Sequence, residues 1–152
     1  MKREIKFRAW DKAQECYLYD VQRAYDTLSG CVKYENGENA DCDEECFAGF
    51  LYDERYDIEQ YTGLHDKNGK PIYEGAIVHG YDQEPDRDDH YIGSSVIDVV
   101  NFKYGAFWIG DSWYKVMVMT PPIIEVIGNV HTNPELLEVE KWQKQLHNDG
   151  VI

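Results

Sequence analysis

Four cysteines, five histidines and 29 carboxylates supply every residue type that metal or acid–base chemistry would need. Their spacing asks for neither. Cys42-Asp43-Glu44-Glu45-Cys46 has a separation found in some zinc sites, but Cys16 and Cys31 form no second close pair. The acids between Cys42 and Cys46 would raise the thiol pKa values and oppose the thiolate that a metal requires. His65, His79, His90, His131 and His147 are scattered, with no two-His helical pair of the metallohydrolase kind. There is no glycine-rich loop followed by Lys-Ser/Thr and no Gly-x-Ser-x-Gly elbow. Asp88-Asp89 is an ordinary pair in an acidic loop. The expectation is free thiols, no metal, no cofactor and no catalytic constellation.

Charge is the next discriminating feature. The net charge is −14, and it is local. Residues 35–59 carry ten acids against Arg55, and residues 82–90 carry Asp82, Glu84, Asp86, Asp88 and Asp89 against Arg87. The two tracts together account for −13 of the total, so the remaining chain is nearly neutral. Direct nucleic-acid binding is not expected, because it draws on a basic footprint that releases phosphate counterions. The tracts read as solvated loops that favour solubility. Their functional reading is an anionic patch for a basic partner, with Asp82, Glu84, Asp86, Asp88 and Asp89 as its residues.

The elements that carry these residues are mostly strands. A chain of 152 residues with 43% hydrophobic and 14% aromatic content has material for a core and is not disordered. Twelve tyrosines and four tryptophans favour pleated surfaces. Ile5, Phe7 and Ala9 alternate with Lys6 and Arg8, which reads as a strand with one wet face and makes residues 3–20 a β-hairpin. Residues 31–34 form a short strand. Phe47, Phe50 and Leu51 have helical spacing, with Asp43, Glu44 and Glu45 where a helix N-terminus favours negative charge. Residues 94–102 form a strong strand, Tyr104-Gly105 a turn, and residues 106–109 and 113–118 two more strands. Thr120-Pro121-Pro122 halts that ladder and residues 123–130 form the last strand. Asn133-Pro134-Glu135 starts a C-terminal helix, with Asn as cap and Pro at its first position.

Between these elements lies the run YTGLHDKNGKPIYEGAIV at 61–78. Asn68-Gly69 tolerates positive φ and reverses the chain, and Asp66 and Asn68 can cap the turn. With REIKFRAWD at 3–11 and EVIGNVHTNPELL at 125–137, this run resembles the YopX family of phage and prophage proteins. The resemblance implies a mainly β protein and assigns no biochemical activity. Members commonly carry Asp where this chain has Ala76, within Glu74-Gly75-Ala76-Ile77-Val78. A turn-stabilising carboxylate is easier to forgo than a catalytic one, which argues against shared catalysis at that position.

The resulting expectation is a mainly β protein with minor α: a small SH3-like barrel at 61–132, preceded by the N-terminal hairpin and short helix at 1–60 and followed by a helix at 133–152. Its candidate binding surface is Tyr61, Asp66, Lys67, Lys70, Tyr73 and Glu74, at one end of the barrel. The expected role is a non-enzymatic phage accessory protein acting through protein contacts, with a protein partner of unknown identity. Homo-oligomerisation is expected from the aromatic excess and the edge-prone segments 3–20 and 106–118. The alternative is an acidic DNA mimic that inhibits a host nucleic-acid-binding protein. No apolar run is long enough to span a bilayer and no apolar signal core opens the chain, so a cytoplasmic location is expected.

Overall fold

The computed structural model describes residues 4–24, 32–42, 44, 46–81, 95–110 and 123–138. The chain divides into two units, Met1–Gly63 and Leu64–Ile152.

The first unit is built on a hairpin. β1 (Phe7–Asp11) and β2 (Cys16–Tyr19) pair antiparallel, with Ala9 opposite Leu18 and Asp11 opposite Cys16. Asp11 sets the reversal: its Oδ1 accepts the amides of Ala13 at 2.9 Å and Gln14 at 3.2 Å. β3 (Lys33–Tyr34) adds to β2, and β4 (Tyr56–His65) pairs with β1 from Phe7↔Gln60 to Asp11↔Tyr56. One face of this sheet packs Ala9, Leu18 and Tyr56 with Val21, Ala24, Val32 and Phe50. Phe50 comes from α1 (Phe47–Tyr52), whose apolar spacing places it in the core.

Two expectations about this unit change. α1 is six residues long, Cys46 gives it no side-chain cap, and no acid lies in its first turn. The expected acids precede that turn rather than lying in it, and Asp43 and Glu45 are outside the described residues. A Cβ at Gly49 would collide with the Glu44 carboxylate, which lies back over the helix. The face of β1 expected to be wet is also not wet, because Arg8 is buried while Ile5 is exposed.

β4 runs on past Gly63 (φ 91°) into the second unit, where β5 (Pro71–Tyr73) is its hydrogen-bonded neighbour. β6 (Ala76–Tyr81), β7 (Ser95–Lys103), β8 (Ala106–Ile109) and β9 (Ile123–Asn129) form a separate antiparallel sheet in the order β8-β7-β6-β9. A bulge interrupts the β6–β9 register between Ile77 and Val78. Val78, Val100 and Ile109 pack with Ile72 and Ala76 into the core of this unit, joined by Leu64, Phe107, Ile124 and Val126. Gly75 (φ 85°) feeds β6: its amide donates to Val100 O at 2.8 Å, and its carbonyl accepts Val130 N at 3.0 Å.

The mainly β class with minor α stands, but the SH3-like barrel does not form. Both sheets are open, and neither returns its last strand to its first among the described residues. Closing a barrel requires every strand in one hydrogen-bonded cycle with consistent tilt and stagger. Here β4 is committed to β1 through five paired positions and to β5, so it does not join β6–β9. The expected strand at 113–118 and the acidic loop at 82–90 lie outside the described residues. Residues 135–138 are helical, at the expected start of the last helix, whose remainder is also outside them.

Candidate functional site

The six residues expected at a binding surface fall into both units. Tyr61 lies on β4 in the first, where it is buried; its amide donates to Lys6 O at 2.9 Å and the Lys6 ammonium sits 4.6 Å from its ring centroid. The other five are in the second unit. Asp66, Lys67 and Lys70 come together in the β4–β5 turn. Asp66 is buried: Oδ1 accepts the amides of Asn68 and Lys70, each at 2.9 Å, and Oδ2 accepts Val126 N at 2.9 Å. Burial would raise its pKa, but those three amides outweigh it and hold the carboxyl below the usual range. Lys67 donates its amide to Ile124 O at 2.9 Å and reaches Glu125 at 3.4 Å. Lys70 is exposed, Tyr73 is buried at the end of β5, and Glu74 is half-buried in the turn before β6. The acidic patch Asp82, Glu84, Asp86, Asp88 and Asp89 lies outside the described residues.

The third signature block is likewise built from side-chain-to-backbone bonds. Asn129 Oδ1 accepts His131 N at 3.0 Å and Thr132 N at 2.9 Å, while Asn133 Oδ1 accepts Asn129 N at 3.3 Å. These bonds satisfy amides that the end of β9 leaves unpaired and set the entry to the following helix.

Sequence reasoning missed a polar cluster in the first unit. Arg8 and Glu59 stand directly opposite on β1 and β4, with Nε 2.8 Å from Oε1 and side chains only 8% and 7% exposed. The Tyr17 hydroxyl donates to the same oxygen at 3.0 Å, and the Arg8 guanidinium lies 4.0 Å from the Tyr17 ring centroid. Burial pushes the Tyr17 phenol far up, so it remains a donor. A second ion pair links Asp11, fully buried, to Arg55 through two 2.8 Å bonds. The buried Tyr56 hydroxyl has no hydrogen-bond partner among the described residues, and burial pushes its pKa up to about 12. Only the local alternation of β1 and β4 hinted at the Arg8–Glu59 pair, and alternation alone reads as a wet face.

Cys16, Cys42 and Cys46 are free thiols, and burial followed by the Asp11 charge raises Cys16. Among the described residues no group of three or more His, Cys, Asp or Glu side chains is placed to hold a metal. No helix among them is long and apolar enough to cross a membrane.

Among the described residues of the second unit, the exposed aromatics lie at the β7–β8 turn. Lys103 and Ala106 flank Tyr104-Gly105, whose φ values of 53° and 77° are those of a two-residue hairpin turn with both central residues left-handed. Asn or Gly is the usual first residue there, whereas a bulky L side chain pays a steric penalty. Tyr104 is nevertheless 91% exposed and Phe102 48% exposed. Phe102 packs on Phe107 at 4.9 Å between centroids, and Trp108 Nε1 donates to Lys103 O at 2.9 Å. Lys103 Nζ lies 6.0 Å from the Tyr104 ring and 5.8 Å from the Trp108 ring.

Two open antiparallel sheets, with signature blocks bonded into turns, define a mainly β protein whose most diagnostic polar residues hold backbone in place. The chain matches the YopX protein family over residues 6–138, and it belongs to that family of phage and prophage proteins. It is similar to the crystal structure of protein EF1440 from Enterococcus faecalis, with 29% identity and a TM-score of 0.54, covering 90% of this chain and 99% of that one. Protein yopX from Bacillus subtilis is similar at 18% identity with a TM-score of 0.45, over 86% of this chain and 96% of that one. No curated protein matches the chain.

Proposed function

We propose that this chain is a non-enzymatic phage or prophage accessory protein that acts by contacting other proteins. The observation that carries the reading is the β7–β8 turn. Tyr104 is held at positive φ and almost fully exposed, so neither backbone preference nor burial accounts for a tyrosine there. Exposed aromatics beside a cation are the composition of contact hot spots. The turn surface of Asp66, Lys67 and Lys70 is a weaker candidate, because Asp66 is committed to three backbone amides.

The acidic-mimic reading draws on the tracts at 35–59 and 82–90. In the first tract Glu59 is buried against Arg8, Asp57 lies 3.3 Å from Lys12, and Asp53 accepts Arg55 N at 2.9 Å. Those carboxylates are partly neutralised, which favours the contact reading.

The test is affinity capture from the bacterial host cytoplasm with three baits: the full chain, Tyr104→Asn, and the chain with Asp86, Asp88 and Asp89 changed to Asn. A specific protein held by the first and third baits and lost by the second supports the contact reading. A basic protein lost only by the third supports the mimic instead. Equal capture by all three removes both.

A further inference from the structure

We propose that α1 is a lid on the core of the first unit, opening as a local unit while the sheet beneath it stays paired, with the Tyr56 hydroxyl favouring the open state. The proposal stands apart from the contact reading and does not rest on it.

Little besides packing holds α1 closed. Isolated helices shorter than about 12 residues are marginal in water, and this one has six. It has no side-chain N-cap, no acid in its first turn and no base in its last, so nothing charged complements its dipole. Gly49 weakens its interior. Its outer side is wet, with Leu51 53% and Tyr52 88% exposed. What remains is two rings: Phe50, fully buried, and Phe47, stacked on Phe7 at 5.0 Å between centroids.

Phe50 closes onto Tyr56, with 4.8 Å between ring centroids. Tyr56 itself is fixed from below. Its backbone pairs with Asp11 at the end of the β1–β4 ladder, so opening moves the helix and leaves the tyrosine in place. With α1 closed, the Tyr56 hydroxyl is buried and has no hydrogen-bond partner among the described residues. A buried hydroxyl in that condition carries its full desolvation penalty, which hydration returns. Lifting Phe50 lets water reach the hydroxyl and removes the penalty. The ring of Tyr56 therefore holds the lid down while its oxygen favours release. A phenylalanine at this position would keep the first effect and lose the second.

Native-state hydrogen exchange on the full chain, resolved by residue, tests this with wild type and Tyr56→Phe. In wild type the amides of α1, together with that of Asp53, which donates to Gly49 O at 3.1 Å, are expected to exchange as a group. Their exchange should be at least about tenfold faster than that of the bonded amides of the β1–β2 ladder. Tyr56→Phe should slow the α1 group by about fivefold or more, the lower end of what an unpaired buried hydroxyl costs. Exchange of α1 at the rate of the ladder overturns the proposal, because the helix then opens only with the whole unit. An α1 rate unchanged in Tyr56→Phe overturns it too, since the hydroxyl then has no part in opening. Faster exchange in Tyr56→Phe, or a variant that does not fold, also overturns it, by showing that the hydroxyl is bonded when the lid is closed.

Discussion

Asp66 Oδ2 accepts the amide of Val126 at 2.9 Å, across sixty residues of chain. Its other oxygen takes the amides of Asn68 and Lys70, so one buried carboxylate both closes the β4–β5 turn and ties it to β9. Lys67 repeats the tie through its amide to Ile124 O and its ammonium to Glu125. The most recognisable turn of the chain is therefore a structural joint within the second unit, and its charge is largely committed to that joint.

Asp66→Ala is expected to destabilise the second unit by about 3 kcal/mol. The change removes a charged acceptor from three amides, and buried donors left unpaired cost about 1–3 kcal/mol each, with partial relief from water at the turn. Asp66→Asn keeps a neutral acceptor and is expected to cost about half as much. Urea unfolding followed by far-UV circular dichroism measures both. Equal midpoints for wild type and Asp66→Ala would show that the Val126 bond contributes nothing to stability.

Asp66 and Asp11 also make stability depend on acid. Burial raises the pKa of each, but Arg55 and the amides of Gln14 and Ala13 outweigh it at Asp11, as the three amides do at Asp66. Both carboxyls therefore titrate lower folded than unfolded. The stabilisation is present above the unfolded value, about 3.9, and is lost as pH falls through the folded values. Unfolding midpoints are expected to hold near neutrality and decline below about pH 4. In Asp11→Asn/Asp66→Asn the plateau should be lower and the decline shallower. Parallel curves for the two proteins would assign the acid sensitivity to other groups.

The local grammar of this chain was legible and its pairing was not. Alternation locates β1 and the polar turn after it locates β2, a β-branched apolar run locates β7, and Tyr104-Gly105 reads as the turn it is with β8 after it, because turns and periods are set by neighbours in sequence. Asp66 was read as a turn cap from the same local logic. The barrel failed because closure depends on which distant strands share edges, and ten-residue β4 was free on paper to join either sheet. Arg8 was read as wet because alternation reports a second face without saying what covers it. Its partner Glu59 is 51 residues away. The turn at Tyr104 was legible as a turn, while its exposure and left-handed strain needed coordinates.

The buried pair Arg8–Glu59 is expected to matter most when half of it is removed. Arg8→Met leaves the Glu59 carboxylate buried without its guanidinium, and Glu59→Leu leaves the buried guanidinium without that carboxylate; each should cost about 3–5 kcal/mol. The double variant Arg8→Met/Glu59→Leu removes both charges and fills the volume with apolar atoms. It should recover most of that loss, because desolvating the two ions offsets much of their attraction. A double-mutant cycle from chemical unfolding reads the coupling directly. Additive losses would mean that the two side chains do not depend on one another despite their 2.8 Å contact.

Gly128 and Asn133 offer the sharpest test of the third signature block. A Cβ at Gly128 would lie 2.5 Å from Asn133 Oδ1 and 2.9 Å from both Asn133 Cβ and Cγ. Rotating the end of the Asn133 side chain does not relieve the contact with its Cβ, so backbone must move. The Asn133 carboxamide also accepts Asn129 N, and Asn129 in turn holds the amides of His131 and Thr132. Gly128→Ala is therefore expected to cost about 2 kcal/mol, from overpacking together with loss of the capped turn. Asn133→Ala alone should cost about 1 kcal/mol as a lost cap. With both changes, the clash falls on fewer atoms, so the double variant should lie closer to wild type than the sum of the single losses. Strict additivity in the unfolding free energies would mean that the glycine is required for some reason other than the approach of Asn133.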